Sequence, residues 1–180
     1  MSRVRLADGR DAQLLATLGA RLFAQTFASR NRPEDLDAYL RHAFSIARQA
    51  SELADARMRT WIAETADGEP IGYAQLRLDT PPPTQALNAC CELARIYADS
   101  AWHGRGVGAT LLQTVLSAAR DAGARHIWLG VWKNNPRGIA FYEKNGFRIV
   151  GEQLFQLGAD TQHDWIMLRA LEDGTSSTSR

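Results

Sequence analysis

Three groups of residues in this 180-residue chain have the types and spacing to do chemistry. The first is His103-Gly104-Arg105-Gly106-Val107-Gly108-Ala109. Its glycines carry no Cβ, so a ligand can lie against the backbone, and the run opens a helix whose first amides lack a carbonyl partner. The helix macrodipole adds about half a positive charge at that end, which makes a phosphate or pyrophosphate the natural guest, with Arg105 beside it. The second is Glu92, the lone acid of the strand-like segment Cys90 to Ala98. The third is Tyr142, a phenol flanked by Phe141 and Phe147. A carboxylate can take a proton from a nucleophile and a phenol can return one to a leaving group, so the three together describe proton transfer beside an anion site.

Three kinds of phosphate binder use a glycine turn. A nucleotide P-loop needs Gly-Lys-Ser/Thr at the helix start, but Gly108 is followed by Ala109 and Thr110. A dinucleotide fingerprint is met formally by Gly104, Gly106 and Ala109, yet the end of the next strand offers Lys133 and Asn134 where an acid should hold the ribose. The pyrophosphate of coenzyme A is the third guest.

At this point the chain resembles the GCN5-related N-acetyltransferases. Their cofactor loop, Gln/Arg-x-x-Gly-x-Gly/Ala, is matched by His103 to Gly108 at every position but the first. A second block, Asn135-Pro136-Arg137-Gly138-Ile139-Ala140-Phe141-Tyr142-Glu143-Lys144-Asn145-Gly146-Phe147, resembles that family's Asn…Ala-x-x-Phe-Tyr-x-Lys-x-Gly-Phe region in slightly compressed spacing. The resemblance implies a mixed, largely antiparallel α+β sheet with helices on both faces and a splayed central strand pair. It implies acetyl-CoA as co-substrate, held by Ile96, Tyr97, Ala98, His103, Gly104, Arg105, Gly106, Val107, Gly108, Ala109, Asn135 and Lys144. It places the acid at Tyr142; Glu92 is the candidate base, acting through water. Unpaired strand amides at Tyr97 or Ala98 would polarise the thioester carbonyl. An amine of pKa about 10.4 costs roughly 4.6 kcal/mol to deprotonate at pH 7, which is the work such a base must do.

Further stretches resemble the bacterial spermidine/spermine N-acetyltransferase branch: Thr26-Phe27, Asp35 to Leu40, Trp128 to Trp132, and Gly158 through Asp164. A polycationic acceptor would want several carboxylates, and Glu34, Asp35, Asp37, Asp79, Asp160 and Asp164 are the candidates. Peptide amines and aminoglycosides are alternative acceptors, and a non-catalytic acyl-CoA-binding regulator is an alternative use of the same fold.

These groups need elements to position them. Apolar spacing predicts a first strand near Val4 to Leu6, a helix through Leu14, Leu18, Leu22 and Phe27, and a second helix from Pro33 to about Ala54. Thr60–Glu64 and Ile71–Leu78 read as a hairpin about Asp67-Gly68. A strand–helix–strand–helix unit follows: Cys90–Ala98, Gly106–Ala122, His126–Trp132 and Pro136–Asn145. The strand Ile127–Trp132 is apolar on both faces and is expected between two helical layers. Strands Phe147–Leu157 and Asp164–Ala170 close a single domain of residues 3–172, followed by a disordered tail, 173–180, without apolar residues.

Charge and composition narrow the partners. With 21 basic and 20 acidic side chains the formal charge is +1, which speaks against a dedicated nucleic-acid surface. The longest apolar runs fall short of a membrane span of about 20 residues, and the charged N-terminus lacks a secretory apolar core, so a cytoplasmic protein is expected, as monomer or homodimer. Adjacent Cys90 and Cys91 point to opposite faces of a strand and read as small apolar residues rather than a redox pair. His42, His103, His126 and His163 lack metal-ligand spacing, so no metal is expected.

Overall fold

The computed structural model describes residues 2–171; the expected tail lies outside them. In chain order the elements are β1 (Arg3–Leu6), α1 (Ala12–Phe27), α2 (Pro33–Ala43), α3 (Ile46–Ala54), β2 (Met58–Glu64), β3 (Pro70–Arg77), β4 (Cys90–Ala98), α4 (Val107–Asp121), β5 (His126–Trp132), α5 (Pro136–Lys144), β6 (Arg148–Leu157) and β7 (Asp160–Ala170). The strands form one sheet in the order β1-β2-β3-β4-β5-β7-β6. Every neighbouring pair is antiparallel except β4 and β5.

That parallel pair is the feature that makes a site. β4 and β5 are in register only at Cys90–His126, Cys91–Ile127 and Glu92–Trp128, although β4 continues to Ala98 and β5 to Trp132. On the other side of β4 the register with β3 jumps from Gln75–Arg95 to Leu76–Leu93, so Ala94 is an extra residue. Such a bulge bends its strand and increases the twist. Here it coincides with the point where β4 leaves β5, and a gap opens beyond Glu92.

Two cores flank the sheet. On one face Leu111, Leu112, Val115 and Leu116 of α4 are fully buried against Leu76, Ile127, Leu129 and Met167. On the other, Leu15, Leu22 and Phe23 of α1, with Leu36 and Phe44, cover Ile62, Tyr73 and Leu157. Each such side chain contributes about 1.5–3 kcal/mol on burial, so both helical layers are held firmly around the gap.

The expected second helix is two helices. Ser45 has an extended backbone (φ −66°, ψ 148°) and its side chain accepts a hydrogen bond from Arg48 N, capping α3. The apolar period runs through the break because both helices lie on the same core, and an N-cap serine competes locally with continued helix. Helices do not cover both faces of β5 along its length. Trp128 instead packs with Cys90 and Ile166 beneath residues 78–89, where Leu87 packs on it and its Nε1 donates to Thr80 O at 2.8 Å. The last strand starts at Asp160 rather than Asp164, because residues 160–163 pair with β6 across a tight turn at Gly158. Cys90 and Cys91 are free and buried in different clusters, on opposite faces as expected.

Candidate active site

Backbone polarity in the gap follows from the β3–β4 ladder. Asp99 N donates to Ile71 O at 2.8 Å. In an antiparallel pair, bonded and non-bonded partners alternate, so Tyr73–Tyr97 is a bonded pair while Gly72–Ala98 and Ala74–Ile96 are not. The polar groups of Ile96 and Ala98 therefore turn toward the gap, and those of Tyr97 are used by β3. Of the two amides expected to polarise a carbonyl, Ala98 faces the gap and Tyr97 does not. The Tyr97 ring lies on the α1 face, edge-on to Phe27 at 6.3 Å.

The gap leads to the glycine turn. Gly104 and Gly106 adopt φ +75° and +85°, a left-handed conformation that favours glycine, and a Cβ on either would meet only open space. The first bond of α4 is Thr110 N to Gly106 O, at 2.9 Å. The amides of Val107, Gly108 and Ala109 precede that ladder and are available to an anion. Val107, Leu111, Val115 and Ala119 anchor the helix at no more than 1% exposure, which fixes the direction of these amides. His103 spends its own amide on Ser100 O at 3.2 Å and bonds Ala98 O through Nε2 at 3.0 Å, tying the turn to the end of β4. Arg105 is exposed, its guanidinium 5.3 Å from the centre of the Trp102 ring.

α5 supplies the second block. Asn135 caps it, its side chain accepting from Gly138 N at 3.1 Å, with Pro136 in the first turn. Tyr142 packs edge-on to Phe141 and Phe147, at 5.4 and 5.8 Å, in the cluster that includes Ile96 and Ala98. Burial holds its phenol above the ordinary value, so it stays protonated at neutral pH. Lys144 is exposed at the C-terminal end of α5.

Glu92 sits at the closed end of the gap on the opposite face, and it is not alone. Arg77 Nη1 donates to Glu92 Oε2 at 2.7 Å. Burial pushes the carboxyl up and Arg77 opposes this; burial prevails and the net direction is upward. Sequence reading missed this partner, because an arginine fifteen residues upstream carries no local signal of strand pairing. It also missed a buried network beneath the site: Arg95 pairs with Glu52 of α3 at 2.7 Å, and Gln75 Nε2 donates to Glu52 at 3.0 Å. This pairing secures β4 just after its bulge.

A splayed parallel pair, gap-facing amides and a free helix start can be compared with known proteins. The profile of the Acetyltransferase (GNAT) family matches residues 21–147. The chain belongs to this family. It is accordingly an N-acetyltransferase with acetyl-CoA as co-substrate. An uncharacterised N-acetyltransferase of Mycobacterium tuberculosis is 36% identical to it over 161 residues, 89% of this chain and 98% of the relative. The spermidine N(1)-acetyltransferase of Thermoplasma acidophilum is 22% identical over 149 residues, 81% of this chain and 88% of that one. The fold matches the crystal structure of the PaiA N-acetyltransferase of Thermoplasma acidophilum in complex with coenzyme A, with a TM-score of 0.78, 21% identity and coverage of 94% and 99% of the two chains. Membership of the family is thus established at a coarser level than the polyamine branch.

On the acceptor side of this acetyltransferase, most of the acids named from the sequence are spent or face solvent. Asp35 accepts from Ala159 N at 2.7 Å and pairs with Arg32 at 2.8 Å, which docks the β6–β7 turn on α2. Asp160 accepts from Gln162 at 2.9 Å. Glu34, Asp37 and Asp79 are exposed. Asp164 differs: it is 7% exposed, and its Oδ1 has no hydrogen-bond partner among the described residues. Among the described residues no helix is long and apolar enough to cross a membrane.

Proposed function

We propose that this acetyltransferase moves the acetyl group onto a primary amine by direct attack while both substrates are bound, in a gap whose two faces divide the proton chemistry. The observation that carries the reading is the opening of β4 from β5 beyond Glu92, with the glycine turn and the start of α4 at its far end. Bound acetyl-CoA supplies an acetyl group activated as a thioester. The amides of Val107, Gly108 and Ala109 bind its pyrophosphate, and the lack of side chains at Gly104 and Gly106 lets the anion approach the backbone. Ile96 and Ala98 hold the extended arm through their gap-facing polar groups, and Ala98 N–H orients the carbonyl. Asn135 and Lys144 complete the contacts from α5.

The proton steps belong to two side chains. Glu92 Oε, its basicity raised by burial, takes one ammonium proton through water and frees the nitrogen lone pair to attack the thioester carbon; the second N–H proton of the adduct passes to water as the C–S bond breaks. Tyr142 Oη, on the α4 face, gives its proton to the departing sulfur. A phenol raised by burial is a weak acid in water, but a thiolate in the same apolar surroundings is a stronger base for the same reason, so the pair stays matched.

Polyamines are the first acceptor class to test; the sequence resemblance and the spermidine acetyltransferase relative support them. With Asp35 and Asp160 engaged elsewhere, a polyamine would be gripped at one end only. A cytoplasmic location is part of this reading. The test is thiol release from acetyl-CoA across polyamines, amino acids, aminoglycosides and peptide amines. Release that depends on an amine, with the acetylated amine recovered, is the expected result; release from water alone would overturn direct transfer.

A further inference from the structure

On the acceptor face, β5 is closely packed at a glycine. Gly130 lies inside β5, between Leu129 and Val131, which are 1% and 5% exposed, yet it is itself exposed. A Cβ built there would fall 2.5 Å from Gln153 Nε2 and 3.4 Å from Asp164 Oδ2. The missing side chain leaves this place to the Gln153 amide, which packs on the backbone of the strand that borders the gap, with the Asp164 carboxylate beside it. To one side, across Ile166 in register, Thr84 lies over Gly151. On the other side stand aromatic rings: Trp132 and Tyr97 on either side of Phe27, at 6.1 and 6.3 Å, and Tyr39 against Phe155 at 5.3 Å. A cavity of about 410 Å³ lies at the far end of β5 and β7, lined by Arg30, Trp132, Asp160, Gln162 and His163 and next to, rather than lined by, Asp164.

Asp164 is built as half of an ion pair. It is 93% buried by its 7% exposure, it forms no ion pair among the described residues, and Oδ1 is sealed without a donor. A buried carboxylate without a partner is costly and is retained where a ligand supplies the partner. Nearby cations are committed: Arg95 to Glu52, Arg30 to Asn134 O, and Lys133 to Glu152. Carboxylate and aromatic faces together select an organic cation with an apolar body.

We propose that Asp164 is the acceptor-recognition residue, binding the ammonium of the incoming amine beside Gly130, where the Gln153 amide yields its place, while the aromatic rings hold its carbon chain. This rests on the amine-acceptor reading above and adds the residue that selects for it. It assigns the grip to one carboxylate, so a monoammonium compound suffices and a second charge adds little.

The test is in two parts, on the full chain with coenzyme A present. In thermal denaturation, n-butylammonium chloride is expected to raise the melting temperature of the wild type while equal 1-butanol does not, and Asp164→Asn is expected to abolish the difference. An equal response to both probes, or a persistent difference in D164N, overturns the proposal whatever the true acceptor is. In turnover with an amine that the thiol-release screen identifies, D164N and Gly130→Ala are each expected to raise acceptor KM tenfold or more with the acetyl-CoA KM within twofold. Unchanged acceptor KM in both variants overturns the assignment of Asp164 but leaves acetyl transfer standing. Absence of acetyl-CoA binding by the wild type would instead sink the proposed function.

Discussion

Replacing Asp164 by asparagine should stabilise the protein, and only above a definite pH. Burial raises this carboxyl from its ordinary 3.8 to about 6, opposed only weakly by His163. A group whose folded pKa lies above its unfolded value favours folding when protonated. Its contribution is neutral below pH 4, becomes unfavourable as pH rises from 4 to 6, and stays so above. A shift of about 2 units at about 1.4 kcal/mol each puts the loss near 3 kcal/mol at neutral pH. D164N keeps the shape but buries an amide with incomplete hydrogen bonding, so the net gain should be about 1–3 kcal/mol. At about 2–4 °C per kcal/mol for a chain of this size, the melting temperature of D164N should exceed the wild type by roughly 2–12 °C at pH 8, with the advantage lost or reversed at pH 4. Thermal melts of both proteins across that range, without amine, provide the comparison. A difference that does not change with pH, or a less stable variant at pH 8, would refute the idea that the carboxylate is buried without a partner.

Other consequences concern the chemistry and its support. Tyr142→Phe should lower kcat at least tenfold with acetyl-CoA affinity within twofold, measured by calorimetry and initial rates; unchanged kcat removes the phenol as the acid. Arg77→Met takes away the positive charge that restrains Glu92, so the acidic limb of the pH–kcat profile should move to higher pH, and Glu92→Gln should flatten that limb. Gly106→Ala forces an alanine to φ +85°, which should cost about 1 kcal/mol or more in stability and weaken acetyl-CoA binding at least tenfold by calorimetry. Ser45→Ala should remove the cap of α3 and about 1 kcal/mol by chemical denaturation, with kcat unchanged.

What could be read without coordinates was what is local in the chain. The glycine turn, the apolar ridge of α4 and the Asn135–Pro136 start of α5 each declare themselves within a few residues, because turn chemistry and helical period are short-range. The break at Ser45 escaped because two helices on one core keep the same apolar rhythm, and only the cap distinguishes them. Glu92 was legible as an acid in an apolar strand, but its pairing with Arg77 depends on the register of β3 against β4 after a bulge, which no local pattern fixes. The same register decides that Ala98 and not Tyr97 faces the gap. Asp164 was one of six acids named from the sequence as acceptor-side candidates. Its distinction is that the others found partners or solvent, a fact about the fold as a whole.

In the proposed function the β4–β5 gap carries acetyl from acetyl-CoA directly to an amine. Quantifying free thiol and acetylated amine together, in single-turnover reactions of the purified protein with acetyl-CoA and each amine, tests it most directly. Equal amounts of the two products, formed only when an amine is present, are predicted; thiol release without acetylated amine, or none with any amine while acetyl-CoA is bound, would contradict it.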